Sequence, residues 1–153
     1  MATDLKLPDA DATARLGAAL AGGIGPGRVL HLSGELGSGK TTLVRGLLRA
    51  LGVAGPIKSP TYAWVEPYAV SSLDLYHFDF YRFADQNAWL SSGLRDYFSP
   101  QTACIVEWPE QAGDLLPPPD LSVRLEYEGD ARRARIEAHS DAGAGWLRSL
   151  SSL

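Results

Sequence analysis

Hydrophobic and polar positions change their period several times along the chain. Residues 4–8 predict a short strand. Asp9 or Asp11 then caps a helix over about 11–22, in which Leu16 and Leu20 lie one turn apart. Gly22-Gly23 ends it, and Gly25-Pro26-Gly27 makes a turn. Val29-Leu30-His31-Leu32-Ser33 is mostly apolar, the pattern of a strand buried on both faces. Beyond a glycine-rich loop, Leu43, Val44, Leu47, Leu48 and Leu51 form a stripe at 3.6-residue spacing, which predicts a helix over 40–51 closed by Gly52.

The second half is built differently. Segments 61–68 and 73–81 read as strands joined through Ser71-Ser72, a hairpin. Residues 85–98 read as one or two short helices broken at Gly93, and 103–107 as a short buried strand. Pro117-Pro118-Pro119 is an extended linker. Segments 121–127 and 132–137 alternate in polarity around Glu128-Gly129-Asp130, a second hairpin. A short helix is expected from Asp141. There are no internal repeats.

Composition narrows the class. A length of 153 residues suits a single domain spanning 1–153, and 45% hydrophobic with 21% charged residues excludes a mainly disordered chain. No apolar run approaches 18 residues, and the N-terminus lacks the basic start and apolar core of a signal peptide. Cys104 is the single cysteine, so there is no intramolecular disulfide and no cysteine-based metal site. A soluble cytoplasmic protein without a membrane partner is expected. Net charge is −4 and the 11 arginines are scattered, so any work on RNA is expected to pass through a partner. Arg132, Arg133 and Arg135 alternate with apolar residues and read as a solvated strand face.

One motif carries chemistry directly. Gly34-Glu35-Leu36-Gly37-Ser38-Gly39-Lys40-Thr41 fits G-x-x-x-x-G-K-[ST] without a gap, after a predicted buried strand and at the start of a predicted helix. Glycines let successive N–H groups point into one concavity, and the helix N-terminus adds partial positive charge beneath bound phosphates. Lys40 is placed to reach the β- and γ-phosphates, and the Thr41 hydroxyl to coordinate Mg²⁺.

Such a site needs a carboxylate at the end of a neighbouring strand. Asp79, flanked by Phe78 and Phe80, is assigned to the Mg²⁺, directly or through water; the competing reading is a salt bridge with Arg82. Glu107 is assigned to orient the attacking water or hold the metal's water shell, against the reading of a surface acid. Trp108 either walls the nucleotide or packs the core. Thr61, in Ser59-Pro60-Thr61, stands where a switch threonine senses the γ-phosphate. His77 reads as a satisfied core histidine rather than a base, His31 as structural, and Cys104 as an inert core thiol. Twelve of the 14 aromatic residues fall between Tyr62 and Trp108, marking core, a ligand-facing wall, or both.

Absent motifs exclude other classes. The only asparagine, Asn87, precedes Ala88, so a guanine-reading Asn-Lys-x-Asp segment is missing. The Gly-Gly-Gln signature of transporter ATPases is also missing. Only Arg82 and Arg95 lie between Thr61 and Glu107, too few for the arginine-bearing lid of a small-molecule kinase.

Assembled, these residues resemble the bacterial TsaE (YjeE) family, small ATPases required for threonylcarbamoyladenosine modification of tRNA. The resemblance is carried by residues 34–42, Lys58-Ser59-Pro60-Thr61-Tyr62 and Tyr76-His77-Phe78-Asp79-Phe80-Tyr81-Arg82. It continues through Gly93-Leu94-Arg95-Asp96-Tyr97-Phe98, Val106-Glu107-Trp108-Pro109 and Leu115-Leu116-Pro117. Glu35 and Ser38 replace the family's usual aspartate and alanine. The resemblance implies a P-loop NTPase-like three-layer α/β/α fold with a mixed, mainly parallel sheet plus antiparallel hairpins. It implies ATP and Mg²⁺ as cofactors, with slow intrinsic hydrolysis. It implies two partners, the threonylcarbamoyl-transferase subunit and its inactive paralogue, whose complex hydrolysis would reset; tRNA is met only through that complex. Nucleotide contacts carry over to Gly34, Glu35, Leu36, Gly37, Ser38, Gly39, Lys40, Thr41, Thr42, Thr61 and Trp108. Metal contacts carry over to Thr41, Asp79 and Glu107, and catalysis to Lys40, Asp79 and Glu107. A non-catalytic ATP-gated assembly module and a small-molecule kinase are the competing readings.

Overall fold

The computed structural model describes the chain apart from residues 59, 61–63, 84 and 152 and the side chain of residue 86. Seven strands form one sheet in the order β1-β7-β6-β2-β5-β4-β3. They are β1 (Ala2–Leu7), β2 (Val29–Gly34), β3 (Val65–Val70), β4 (Leu73–Asp79), β5 (Thr102–Glu107), β6 (Leu121–Glu128) and β7 (Ala131–Ala138). The four central strands, β6-β2-β5-β4, run parallel. Antiparallel pairs flank them, β3 with β4 on one side and β6, β7 and β1 on the other.

Among the described residues, α1 (Ala10–Leu20), α2 (Lys40–Ala50) and α3 (Gln86–Ser92) lie between strands, and α4 (Asp141–Arg148) follows β7. Asp9 caps α1 by accepting the Ala12 N–H at 2.8 Å, and Ser140 caps α4 through the Gly143 N–H. Gly93, at φ 77°, ends α3, and a 3-10 turn over Leu94–Tyr97 follows, so the break expected there is real. Of the strand expected over 61–68, residues 61–63 lie outside the described residues, and β3 begins at Val65, after Trp64 with a left-handed φ of 66°.

The parallel strands bury both faces, which accounts for their near-continuous apolar runs. Leu30, Leu32, Leu75 and Ile105 face the helical layer of α1, α2 and α4, where Leu16, Leu20, Leu43, Val44, Leu47, Leu48 and Trp146 complete the larger core. Val29, Phe78, Cys104 and Val106 face the opposite layer, with Phe80, Phe83 and Trp89. The aromatic middle of the chain is therefore largely core: Phe78 stacks on Phe98 at 4.9 Å, and Phe80 packs on Phe83 and Trp89. Cys104 is buried there, and burial pushes its thiol up to about 12, which makes it inert.

His31, on β2, is a structural group with a measurable consequence. Its Nε2 is buried without a hydrogen-bond partner among the described residues. Desolvation, reinforced by His139, lowers its pKa from 6.5 to about 4. A base depressed in the folded state binds more protons when unfolded, so stability is full above about pH 6.5 and falls as pH drops toward 4. Wild-type protein is expected to lose about 2 kcal/mol between pH 7 and pH 5 from this group alone. Urea unfolding of His31→Gln at both pH values should show that increment missing; an unchanged pH slope would refute the assignment.

Candidate functional site

The glycine-rich loop leaves the carboxyl end of β2 and enters α2. Gly39, at φ 110°, is the N-cap of α2 and offers no side-chain hydrogen bond, so the first N–H groups of the helix remain free for an anion. Gly34, at φ 140°, is obligatory for another reason: a Cβ there would overlap the Leu125 carbonyl oxygen.

Register sets the acids. On the parallel pair β4–β5, Asp79 lies opposite Glu107, and on β2–β5 Leu32 lies opposite Glu107. Two carboxylates therefore end neighbouring strands, Glu107 on β5 beside the strand that feeds the loop and Asp79 on β4 one strand further out, at the carboxyl edge where α/β sheets collect ligands. Asp79 and Glu107 are 5% and 2% exposed, so the surface-acid reading of Glu107 fails. Asp79 Oδ1 accepts the Tyr81 N–H at 3.0 Å.

A cavity of about 440 Å³ joins these groups. It is lined by Leu36, Gly37, Gly39, Lys40, Thr41 and Thr42 of the loop and by Asp79, Tyr81, Arg82, Glu107 and Trp108 opposite. Lys40 is 5% exposed and its Nζ donates to the Gly34 and Glu35 carbonyls at 2.5 and 3.0 Å. Burial lowers its pKa, and Glu107, Glu110 and Asp79 pull it back toward the charged form. For Trp108 the structure supports the core reading and sets the ring beside the loop lysine. Trp108 packs against the aromatic core, and its ring lies 4.3 Å from Lys40 Nζ. Its φ of 57° is rare for a bulky residue, and such strain concentrates at working sites.

Among the described residues, no group of three or more His, Cys, Asp or Glu stands ready to hold a metal. What the cavity offers is two carboxylates and a threonine hydroxyl, all hard oxygen donors. That set fits Mg²⁺, which commonly binds through one or two carboxylates, substrate phosphates and retained water.

Gly34 and Glu35 contribute their carbonyls to Lys40 and stand outside this cavity, and Ser38 faces elsewhere. Thr61 lies outside the described residues. A second cavity of about 410 Å³ lies on the other side of the loop, sharing Gly37, Gly39 and Thr42 with the first. Ser38, Asp9, Thr13, Asp130 and Arg132 line it. Of these only Ser38 was expected. Arg133 and Arg135 do lie on an exposed face, paired with Glu128, Asp4 and Glu137. Arg132 has the opposite parity and turns toward the loop, 4.2 Å over the ring of Tyr127, its partner across the hairpin. Tyr127 in turn donates its hydroxyl to the Leu36 carbonyl at 2.8 Å. Strand parity was the available signal for Arg132; the direction of that face was not in the sequence.

A glycine-rich loop between a central parallel strand and its following helix, with carboxylates at the ends of β5 and β4, defines a P-loop-like α/β fold. The profile of the family described as "Threonylcarbamoyl adenosine biosynthesis protein TsaE" matches residues 7–135, and the chain belongs to that family. It is 40% identical over 124 residues to the tRNA threonylcarbamoyladenosine biosynthesis protein TsaE of Haemophilus influenzae, covering 81% of this chain and 78% of that relative. It is also 40% identical over 108 residues to the protein of the same name from Bacillus subtilis, covering 71% and 67%. The crystal structure of Bacillus subtilus YdiB superposes with a TM-score of 0.82 at 26% identity, over 99% of this chain and 95% of that one. No helix among the described residues is long and apolar enough to cross a membrane.

Proposed function

We propose that this protein takes part in threonylcarbamoyladenosine modification of tRNA as a slow Mg²⁺-dependent ATPase. The threonylcarbamoyl-transferase subunit and its inactive paralogue would stimulate it, and hydrolysis would reset their complex. The observation that carries the reading is the convergence of Lys40, Thr41, Asp79 and Glu107 on one cavity at the carboxyl ends of β2, β4 and β5. The names of the relatives supply the pathway.

In this reading the phosphates occupy the first cavity and the nucleoside the second, on either side of the loop glycines. Lys40 exchanges the Gly34 and Glu35 carbonyls for phosphate oxygens, and the α2 N-terminus receives the same anion. Thr41, Asp79 and Glu107 are the residues that would hold Mg²⁺, which when bound neutralises charge on the β- and γ-phosphate oxygens. Glu107 orients a water for attack on the γ-phosphorus. The bond to the β–γ bridging oxygen breaks, leaving ADP and inorganic phosphate. Trp108 and Tyr81, in contact at 5.0 Å, shield the cavity mouth from bulk water.

The test is phosphate release from Mg·ATP by the purified protein, alone and with both transferase proteins. A low rate that rises with the partners supports the ATPase. Tight ATP binding with no release in either condition overturns it in favour of an ATP-gated assembly module. Lys40→Ala is expected to weaken ATP binding about 10- to 100-fold in titration calorimetry, the value of a charged hydrogen-bonding partner. Undiminished affinity would remove the loop from the binding site.

A further inference from the structure

His77 is spent by none of the roles above, yet it touches the site. It is fully buried on β4, and its Nε2 lies 2.5 Å from Glu107 Oε2. The sheet explains the meeting. His77 stands opposite Ile105 and Asp79 opposite Glu107, so His77 is the diagonal neighbour of Glu107 on the same face.

Hydrogen-bond accounting assigns the proton. His77 Nδ1 is buried and has no partner among the described residues. A ring protonated on Nδ1 alone would leave that N–H unmet and set two acceptors, Nε2 and Oε2, against each other. A proton on Nε2 removes that clash and gives Glu107 a donor. Among the described residues no donor reaches Glu107 Oε1, and Glu107 lines the cavity that holds Lys40 and Thr41.

We propose that His77 is a positioning residue: by donating Nε2–H to Oε2 it locks the Glu107 carboxylate and leaves Oε1 to address the cavity. The inference rests on the reading of Glu107 as the group that orients the attacking water. A carboxylate turned by one rotamer would still be present but misaimed, and misplacement of about 1 Å at a reacting centre costs on the order of 100-fold.

Two measurements test it. The first needs no turnover: a long-range ¹H–¹⁵N spectrum of the nucleotide-free protein should show a proton on His77 Nε2. Its Nε2 resonance should move in Glu107→Gln. An Nε2 without a proton overturns the proposal, even if every substituted variant misfolds. The second is partner-stimulated ATP hydrolysis. His77→Met, similar in volume without a ring donor, is expected to lower kcat about 10- to 100-fold with KM and ATP affinity within about twofold. His77→Gln, which returns an N–H donor, should recover most of the loss. Adding His77→Met to Glu107→Gln should cost little more, since the two act as one unit. Wild-type kcat in His77→Met beside a crippled Glu107→Gln overturns the positioning role alone. An unimpaired Glu107→Gln overturns the underlying reading of Glu107.

Discussion

Glu107→Gln is expected to cut partner-stimulated phosphate release about 10²–10⁴-fold while ATP affinity stays within about twofold. The substitution changes charge with almost no change in volume, which matters at a side chain 2% exposed. Its amide oxygen still accepts from His77, so the strand end keeps its packing. In the proposed reading, what disappears is a negative oxygen facing the cavity that polarises and aims water. ATP binding would rest mainly on the loop N–H donors and Lys40, with Thr41 and Asp79 still present to hold the cation. The outcome also separates two roles for this acid. If Glu107 served only to hold the cation, ATP affinity would fall together with turnover. Turnover equal to wild type would remove Glu107 from the chemistry. Phosphate release and ATP titration on one preparation decide among these.

The second large effect is on stability, at the crossing of α1 and α2. Gly17 and Gly46 are helical glycines with ordinary backbone angles, so propensity alone predicts that alanine would stabilise each by about 1 kcal/mol. The structure reverses the sign. A Cβ on Gly17 would overlap the Leu43 carbonyl oxygen, and one on Gly46 the Ala14 carbonyl oxygen. Both obstacles are backbone, which yields only if the helices separate. Gly17→Ala and Gly46→Ala are each expected to lose about 2–3 kcal/mol in urea unfolding. Gly22→Ala, with nothing within 4 Å of the added carbon, is the control and should be near neutral. A stabilised Gly46→Ala would mean the helices do not pack this closely. The crossing also bears on the site, because α2 begins at Lys40 and Thr13 of α1 lies beside Gly39. Prising the helices apart should therefore weaken nucleotide binding in the folded fraction.

Much of this molecule is local in origin. The run 29–33, the glycines of the loop and the apolar stripe from Leu43 to Leu51 specify strand, anion cradle and helix through neighbouring residues, because turn chemistry and side-chain period act over a few positions. That is why β2, the loop and α2 were legible, with Lys40 and Thr41 at the start of the helix. Asp79 and Glu107 were legible as strand-end acids, since each closes an apolar run. Their adjacency was not: it required β5 to insert between β2 and β4, a choice made by packing two cores on opposite faces of one sheet. The same register turned His77 from an ordinary buried histidine into the partner of Glu107. Arg132 and Tyr127 reach the loop only because a hairpin some 90 residues later folds beside it, as the bond from Tyr127 to Leu36 records. Sequence alone determined most of the elements and the glycine-rich loop at the start of α2, because those depend on short-range backbone preference. The tertiary structure alone decided which distant side chains meet there, because strand order and register are set by burying the whole chain at once.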